Sequence, residues 1–244
     1  MTGLIARNED DAALATRYGL PLLHAAPPTG HYLMWIEDRL NLCQVGDKAR
    51  VAVDFVGGAQ AHRRRFGGGL GQPVARAVGL KPGHAPSVLD ATAGLARDAF
   101  VLATLGCEVT LLERSPVACA LVDDGLARAA RAEQTAGIAA RMRLIQADAL
   151  QWLCDTQAQW AVLYLDPMFP EPDKRAKSKK EMAAFQALIG GDADADGLLE
   201  PARLLATRRV VVKRPRHAPW LAGQEPAYCY EGDSTRFDVY LPRS

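Results

Sequence analysis

Four acidic residues stand just past four apolar runs: Asp90 after Ser87 to Leu89, Glu113 after Val109 to Leu112, Asp148 shortly after Met142 to Ile145, and Asp166 after Ala161 to Leu165. A carboxylate in such a place accepts hydrogen bonds from hydroxyl and amino groups. Glu113 lies 23 residues beyond Asp90, near the spacing at which an acid after a second strand accepts from ribose hydroxyls in doubly wound nucleotide folds. The first loop, Asp90-Ala91-Thr92-Ala93-Gly94-Leu95, has small residues and a glycine suited to close backbone approach. It has neither a G-x-G-x-x-G sequence nor a Walker sequence, so a pyrophosphate cradle is poorly supported. A nucleoside without phosphates fits both observations, with Asp90, Gly94 and Glu113 around it, Asp148 accepting from an adenine amino group and Ala149 leaving room for the ring. An acid after a strand is often only a helix cap or a solvated loop residue. Four in matching places carry more weight than any one.

The fourth loop reads Asp166-Pro167-Met168-Phe169-Pro170, which resembles the (Asp/Asn)-Pro-Pro-aromatic motif of S-adenosylmethionine-dependent methyltransferases acting on exocyclic amino groups. The residue types suit that chemistry. An aromatic amine is a poor nucleophile because its lone pair is delocalised into the ring, and its N–H is too weakly acidic for a carboxylate to remove first. Positioning must do most of the work. Asp166 and a neighbouring carbonyl accept from the amino group and aim its lone pair at the methyl. Pro167 stiffens the loop directly after the acid. Phe169 offers a face for an extruded base, and base stacking of this kind contributes about 1 to 3 kcal/mol. After transfer, Asp166 can accept the proton that leaves the nitrogen. The plainer alternative is a turn after a buried strand, with Phe169 in the core.

These loops need a scaffold that brings them together. From Val88 onward, strands alternate with the helical stretches 97–105, 117–131, 149–154 and two helices within 180–206. That spacing forces parallel strands with right-handed crossovers. A fifth strand is expected at Arg209 to Val212, and an antiparallel pair at Ala227 to Tyr230 and Arg236 to Tyr240. The pattern predicts an α/β, doubly wound, mostly parallel seven-stranded sheet with an antiparallel C-terminal strand. Before residue 70 the reading is a small α+β appendage carrying a basic Gly-rich loop: a hairpin of Tyr32 to Ile36 with Leu40 to Val45, then a strand Val51 to Val56. The expected division is residues 1–70 and 71–244, with a helix over 72–78 opening the second part.

The chain has 244 residues, 49% hydrophobic and 23% charged. That range excludes wholesale disorder and a long multi-domain assembly. No apolar run reaches the roughly 20 residues that span a bilayer, and the acids near the N-terminus read against a signal peptide, so a cytoplasmic protein is expected. Five scattered cysteines, with no Cys-x-x-Cys pair and no histidine at ligand spacing, signal neither disulfides nor a metal. The formal net charge is +1, which excludes a uniformly basic nucleic-acid coat and leaves local patches to matter.

VDFVGGAQAHRRRFGGG (Val53 to Gly69), DATAGLARDAFVLATLGC (Asp90 to Cys107), LERSPVACALVDDGLARA (Leu112 to Ala129), YLDPMFP (Tyr164 to Pro170) and DADGLLEPARLLATRRVVVKRP (Asp194 to Pro215) together resemble the RsmJ family of 16S ribosomal RNA guanine-N2 methyltransferases. The resemblance covers most of the chain after residue 50. It implies a Rossmann-like class I methyltransferase fold, S-adenosylmethionine as methyl donor (S-adenosylhomocysteine as product), and as acceptor the N2 of a specific guanine in 16S rRNA or the small ribosomal subunit. It assigns the donor to Arg97 and Asp98, Glu113 and Arg114, Asp148 and Ala149, and Asp166. The chain departs from a family member in having Asp148-Ala149 for Ser-Ser and Ala96 for Gly.

Basic segments then read as RNA contacts. Arg63, Arg64 and Arg65 would grip phosphates while Phe66 stacks. Lys174 and Lys177 flank the Asp166 loop, and Lys213 and Arg214 follow the fifth strand. A solvated hinge, a polar helix start, and ion pairing with the acidic stretch 192–200 are the respective alternatives. A monomer without metal is expected. Two further readings stand beside the first: the same donor with another amino acceptor, such as DNA adenine, another RNA base or a protein amide, and a non-catalytic RNA-binding assembly factor. A nicotinamide oxidoreductase fits worst, because the glycine fingerprint is missing.

Overall fold

The computed structural model describes residues 2–58, 69–167 and 194–243. Arg63, Arg64, Arg65, Phe66, Phe169, Lys174 and Lys177 lie outside the described residues, as does the first part of the helical stretch expected over 180–206.

The chain opens with β1 (Gly3–Ile5), α1 (Glu9–Arg17), β2 (Leu22–Leu23), β3 (His31–Ile36), β4 (Arg39–Gln44) and β5 (Arg50–Val51), which form a five-stranded sheet in the order β2-β1-β3-β4-β5. The expected hairpin is β3 and β4, with Ile36 opposite Arg39. Its two linking residues, Glu37 and Asp38, both have positive φ, as a two-residue turn matched to strand twist requires. The sequence pattern missed β1 and β2, which are too short to show an alternation.

The strand expected over Val51 to Val56 is corrected: it ends at Val51. Asp54 Oδ1 accepts from the amides of Val56 at 3.1 Å and Gly57 at 2.9 Å, and the Val53 carbonyl accepts from Arg128. Such side-chain bonds offer the backbone a partner other than a ladder. The turn delivers Phe55 onto Phe100, the rings stacked with centroids 4.4 Å apart.

There follow α2 (Pro73–Ala77), β6 (Val88–Asp90), α3 (Arg97–Thr104), β7 (Val109–Glu113), α4 (Pro116–Arg131), α5 (Glu133–Ala139), β8 (Met142–Gln146), α6 (Ala149–Asp155), β9 (Trp160–Leu165), α7 (Leu199–Leu205), β10 (Ala206–Pro215), β11 (Tyr228–Glu231) and β12 (Thr235–Tyr240). The second sheet has seven strands in the order β11-β12-β10-β9-β6-β7-β8. Only β12 runs antiparallel, between β10 and β11, so the expected doubly wound, mostly parallel arrangement is the fold. Helix α5 was not anticipated. Ala132 leaves helical geometry at ψ 121°, ends α4 where the expected stretch 117–131 ends, and starts α5.

Alternation assigns the strands' faces. Val88, Val109, Leu111, Val162, Tyr164, Val211, Phe237 and Val239 join one core with α3, α4 and the five-stranded sheet. Leu89, Leu112, Leu163, Leu165, Val210 and Val212 join a second core with α6 and α7. Strands buried on both faces read as continuous apolar runs for this reason.

Helix α4 is the element both sheets share. Asp123 accepts from Arg17 at 2.7 Å and from the Tyr18 hydroxyl at 3.0 Å, while Asp124 accepts from the Leu40 amide at 3.1 Å. Gly125 lets the Val53–Phe55 segment approach closely. A Cβ there would sit 2.5 Å from Val53 Cγ1 and 3.2 Å from Phe55 Cε2. Alanine would gain helix propensity of about 1 kcal/mol at this mid-helix position, yet overpacking against a stiff β-branched side chain costs about 1 to 3 kcal/mol. Gly125→Ala is therefore expected to lower the urea midpoint. A raised midpoint would contradict this close packing.

Candidate active site

Register places the chemistry. Asp90 of β6 is level with Tyr164 of β9 and Leu111 of β7, and Tyr164 is level with Val211 of β10. Two residues further on along β7 and β10, and therefore on the same face, stand Glu113 and Lys213, while Asp166 directly follows β9 and Thr92 lies in the turn after β6. They form a row at the carboxyl edge of the four central strands, where doubly wound sheets place their ligands. Contacts tie the row together. The Asp166 amide donates to Thr92 Oγ1 at 2.6 Å, and Lys213 Nζ donates to Asp166 Oδ2 at 2.8 Å.

Helix α3 starts above this row and brings in Asp98. Its Oδ2 accepts from the Tyr164 hydroxyl at 2.9 Å and from Lys213 Nζ at 2.8 Å. Asp90 is 3% exposed. Burial pushes its carboxyl well above the usual carboxylate range, against the Thr92 amide hydrogen bond, and the charges of Asp166 and Asp98 push the same way. Burial alone would lower the Lys213 ammonium, but Asp166 and Asp98 outweigh it and raise it. Burial likewise raises the Tyr164 hydroxyl, helped by the same acids, so Tyr164 stays a hydrogen-bond donor.

On the other side of α3's entry loop, Glu113 is held by two backbone amides, Gly94 to Oε2 at 2.8 Å and Ser115 to Oε1 at 2.7 Å. A carboxylate offers about four lone-pair sites, and the two amides fix the orientation in which this one would meet a vicinal diol. Gly94 has φ +53° and open space where a Cβ would point. Ala96 also lies in the left-handed region, at φ 55°, which accounts for a glycine at this place in a family member. Asp148 caps α6, accepting from the Gln151 amide at 3.0 Å. Arg114 reaches Asp194 at 3.3 Å and Asp148 at 3.9 Å. Fixed carboxylates for hydroxyls, a loop open to close approach, and Asp148-Ala149 beyond them are a donor and acceptor set that fits an adenosine-bearing ligand.

The expected site residues thus divide. Asp90, Gly94, Asp98, Glu113, Asp166 and Pro167 gather at or beside one strand edge. Arg97 is exposed on the first turn of α3, and Arg114, Asp148 and Ala149 line the edge next to β8. Two phosphate contacts expected from the sequence are revised. Lys213 is engaged by two carboxylates, and Arg214 is 3% exposed with Nε donating to the Pro219 carbonyl at 3.0 Å. The acidic partner expected for Lys213 in 192–200 belongs instead to Arg114, through Asp194. Thr92 and Tyr164 were missed as site residues, although each sits two positions from a singled-out acid. Among the described residues, no group of three or more His, Cys, Asp or Glu side chains is arranged to hold a metal.

Glu113→Gln would turn an amide NH2 toward either the Gly94 or the Ser115 N–H. A buried donor facing a donor costs about 1 to 3 kcal/mol, so the variant is expected to unfold at lower denaturant concentration. An unchanged midpoint would show that the two amides are not what holds this side chain.

A family model described as "Putative SAM-dependent methyltransferase" matches residues 13–242. Ribosomal RNA small subunit methyltransferase J of Laribacter hongkongensis is 54% identical over 245 residues, covering 98% of this chain and 87% of that protein. The protein of the same name from Pseudomonas aeruginosa strain UCBPP-PA14 is 53% identical over 234 residues, covering 93% and 87%. The crystal structure of a SAM-dependent methyltransferase from Neisseria gonorrhoeae superposes with a TM-score of 0.82 at 40% identity, covering 100% of this chain and 97% of that one. The chain belongs to the ribosomal RNA small subunit methyltransferase J family, and its methyl donor is S-adenosylmethionine.

Proposed function

We propose that this chain methylates the exocyclic N2 of a specific guanine in 16S ribosomal RNA, acting as a monomer in the cytoplasm. The observation that carries the reading is the single row of Glu113, Thr92, Asp166 and Lys213 at the carboxyl edge, with Asp98 locked above it. More than half of the residues are identical over nearly the whole chain to relatives named for methylation of small-subunit ribosomal RNA. No helix among the described residues is long and apolar enough to cross a membrane.

Glu113 would hold the ribose hydroxyls of the donor, Gly94 and Asp90 its close approach to the first loop, Asp148 and Ala149 the adenine, and Arg97, Asp98 and Arg114 its remaining polar groups. When bound, S-adenosylmethionine supplies an electrophilic methyl group. Asp166 accepts a hydrogen bond from the guanine amino group and orients its lone pair, the nitrogen lying about 3 to 3.5 Å from the methyl at reaction. Pro167, buried directly after it, keeps the backbone from relaxing away. Asp166 then takes the proton released from the nitrogen and returns it to water. Phe169 supplies a stacking face for the base by residue type. Arg63, Arg64, Arg65, Phe66, Lys174 and Lys177 supply the basic and aromatic contacts to RNA. Residues 1–70 form the RNA-facing appendage, and residues 71–244 form the methyltransferase unit.

Mass-spectrometric mapping of 16S rRNA from cells with and without the protein tests this reading: one methylguanine is expected to vanish in the knockout. Asp166→Asn is expected to cut methyl transfer at least about 100-fold, the lower end of what a positioned acid–base group contributes, while RNA retention stays as in the wild type. An unaltered rRNA map, or a knockout fully complemented by Asp166→Asn, would reject it, the second outcome in favour of an assembly role.

A further inference from the structure

We propose that Lys213 is a positioning residue that ties the carboxylate of Asp166 to that of Asp98, fixing the acceptor side of the site to the donor side. The inference rests on the role given to Asp166 above. Lys213 Nζ is 2.8 Å from Asp166 Oδ2 and 2.8 Å from Asp98 Oδ2. The two carboxylates come from different elements, the end of β9 and the first turn of α3, so one ammonium spans both, beside the Tyr164 hydroxyl that also reaches Asp98 from β9. An ammonium has three donors in tetrahedral array and can serve both at once. With two carboxylates in contact, Lys213 has little field left for a phosphate.

Electrostatics gives the bridge a second task. Asp90 from β6, Asp98 from α3, and Asp166 with the Tyr164 hydroxyl from β9 all face the same space, and the Thr92 hydroxyl accepts from the Asp166 amide. Carboxyls this close disfavour one another's ionised form, and a cation between two of them restores it. Asp166 can accept from an amino group with either oxygen only as a carboxylate. Lys213 keeps it so and holds Oδ2, which sets the plane of the carboxylate.

The test compares full-length wild type with Lys213→Met and Lys213→Arg. The readouts are the pH dependence of single-turnover methyl transfer to 16S rRNA, the KM for that RNA, and carbon-13 titration of the Asp166 carboxyl in ligand-free protein, assigned by its loss in Asp166→Asn. Removing the cation raises the pKa of Asp166, so activity fails earlier on acidification. In Lys213→Met the acid limb and the carboxyl titration are both expected to move to higher pH. The maximal rate is expected to fall about 100-fold, as for a small misplacement of a reacting group, with the KM for RNA unchanged. Lys213→Arg is expected to keep the wild-type titration and recover part of the rate. Wild-type rate and titration in Lys213→Met, or a loss confined to the KM for RNA, would overturn the proposal. Should Lys213→Met fail to fold, Lys213→Gln, of similar length and without charge, carries the same comparison. A wild type that methylates no rRNA would remove the function proposed above, and the ligand-free titration of Asp166 would then decide this inference alone.

Discussion

In a sheet buried on both faces, side chains two residues apart point the same way, and parallel strands in register bring equivalent positions level. Here that constraint sets Thr92 beside Asp166, Asp166 beside Lys213, and Glu113 at the same height one strand away. A slip of one residue in β9 would turn Tyr164 and Asp166 toward the opposite core and send Leu163 and Leu165 into the site. The hydrophobic alternation that stabilises the sheet and the geometry that serves the chemistry are thus one pattern. The apolar residues that precede each acid guard the register.

Gathering acids at a strand edge is electrostatically unfavourable, and each one here has a hydrogen-bond donor beside it. Asp90 takes the Thr92 amide, Glu113 takes two amides, and Asp98 and Asp166 share the Lys213 ammonium. Removing one partner of a partly buried pair is unfavourable because the other charge stays behind. The arrangement is therefore rigid, which suits a reaction whose acceptor is a weak nucleophile and whose rate depends on aim. Helix α4 extends that rigidity outward: through Asp123, Asp124 and Gly125 it fastens the five-stranded sheet to the same core that supports α3.

Much of this was legible in the sequence. Long apolar runs separated by helical stretches give the parallel sheet, and the acids after four of those runs mark its carboxyl edge. What stayed hidden was pairwise. The three-residue β1 and two-residue β2 carry no period, and the seven-residue α5 follows a single extended alanine after the expected helix end at Arg131. Lys213 and Arg214 sit in a basic string that composition alone reads as a surface for phosphates. Only the register with Asp166, and the approach of α3, shows that Lys213 faces inward. Tyr164 and Thr92 are of types that occur in any strand or turn, and they acquire meaning from the neighbours that the third dimension supplies.

A crystal structure of the protein with S-adenosylhomocysteine tests the central claim most directly. The expected density places the ribose hydroxyls on the Glu113 carboxylate, the adenine beside Asp148 and Ala149, and the sulfur facing Asp166, with the Lys213 bridge intact. A ligand bound at another edge of the sheet, or one that leaves Glu113 and Asp166 untouched, would contradict it.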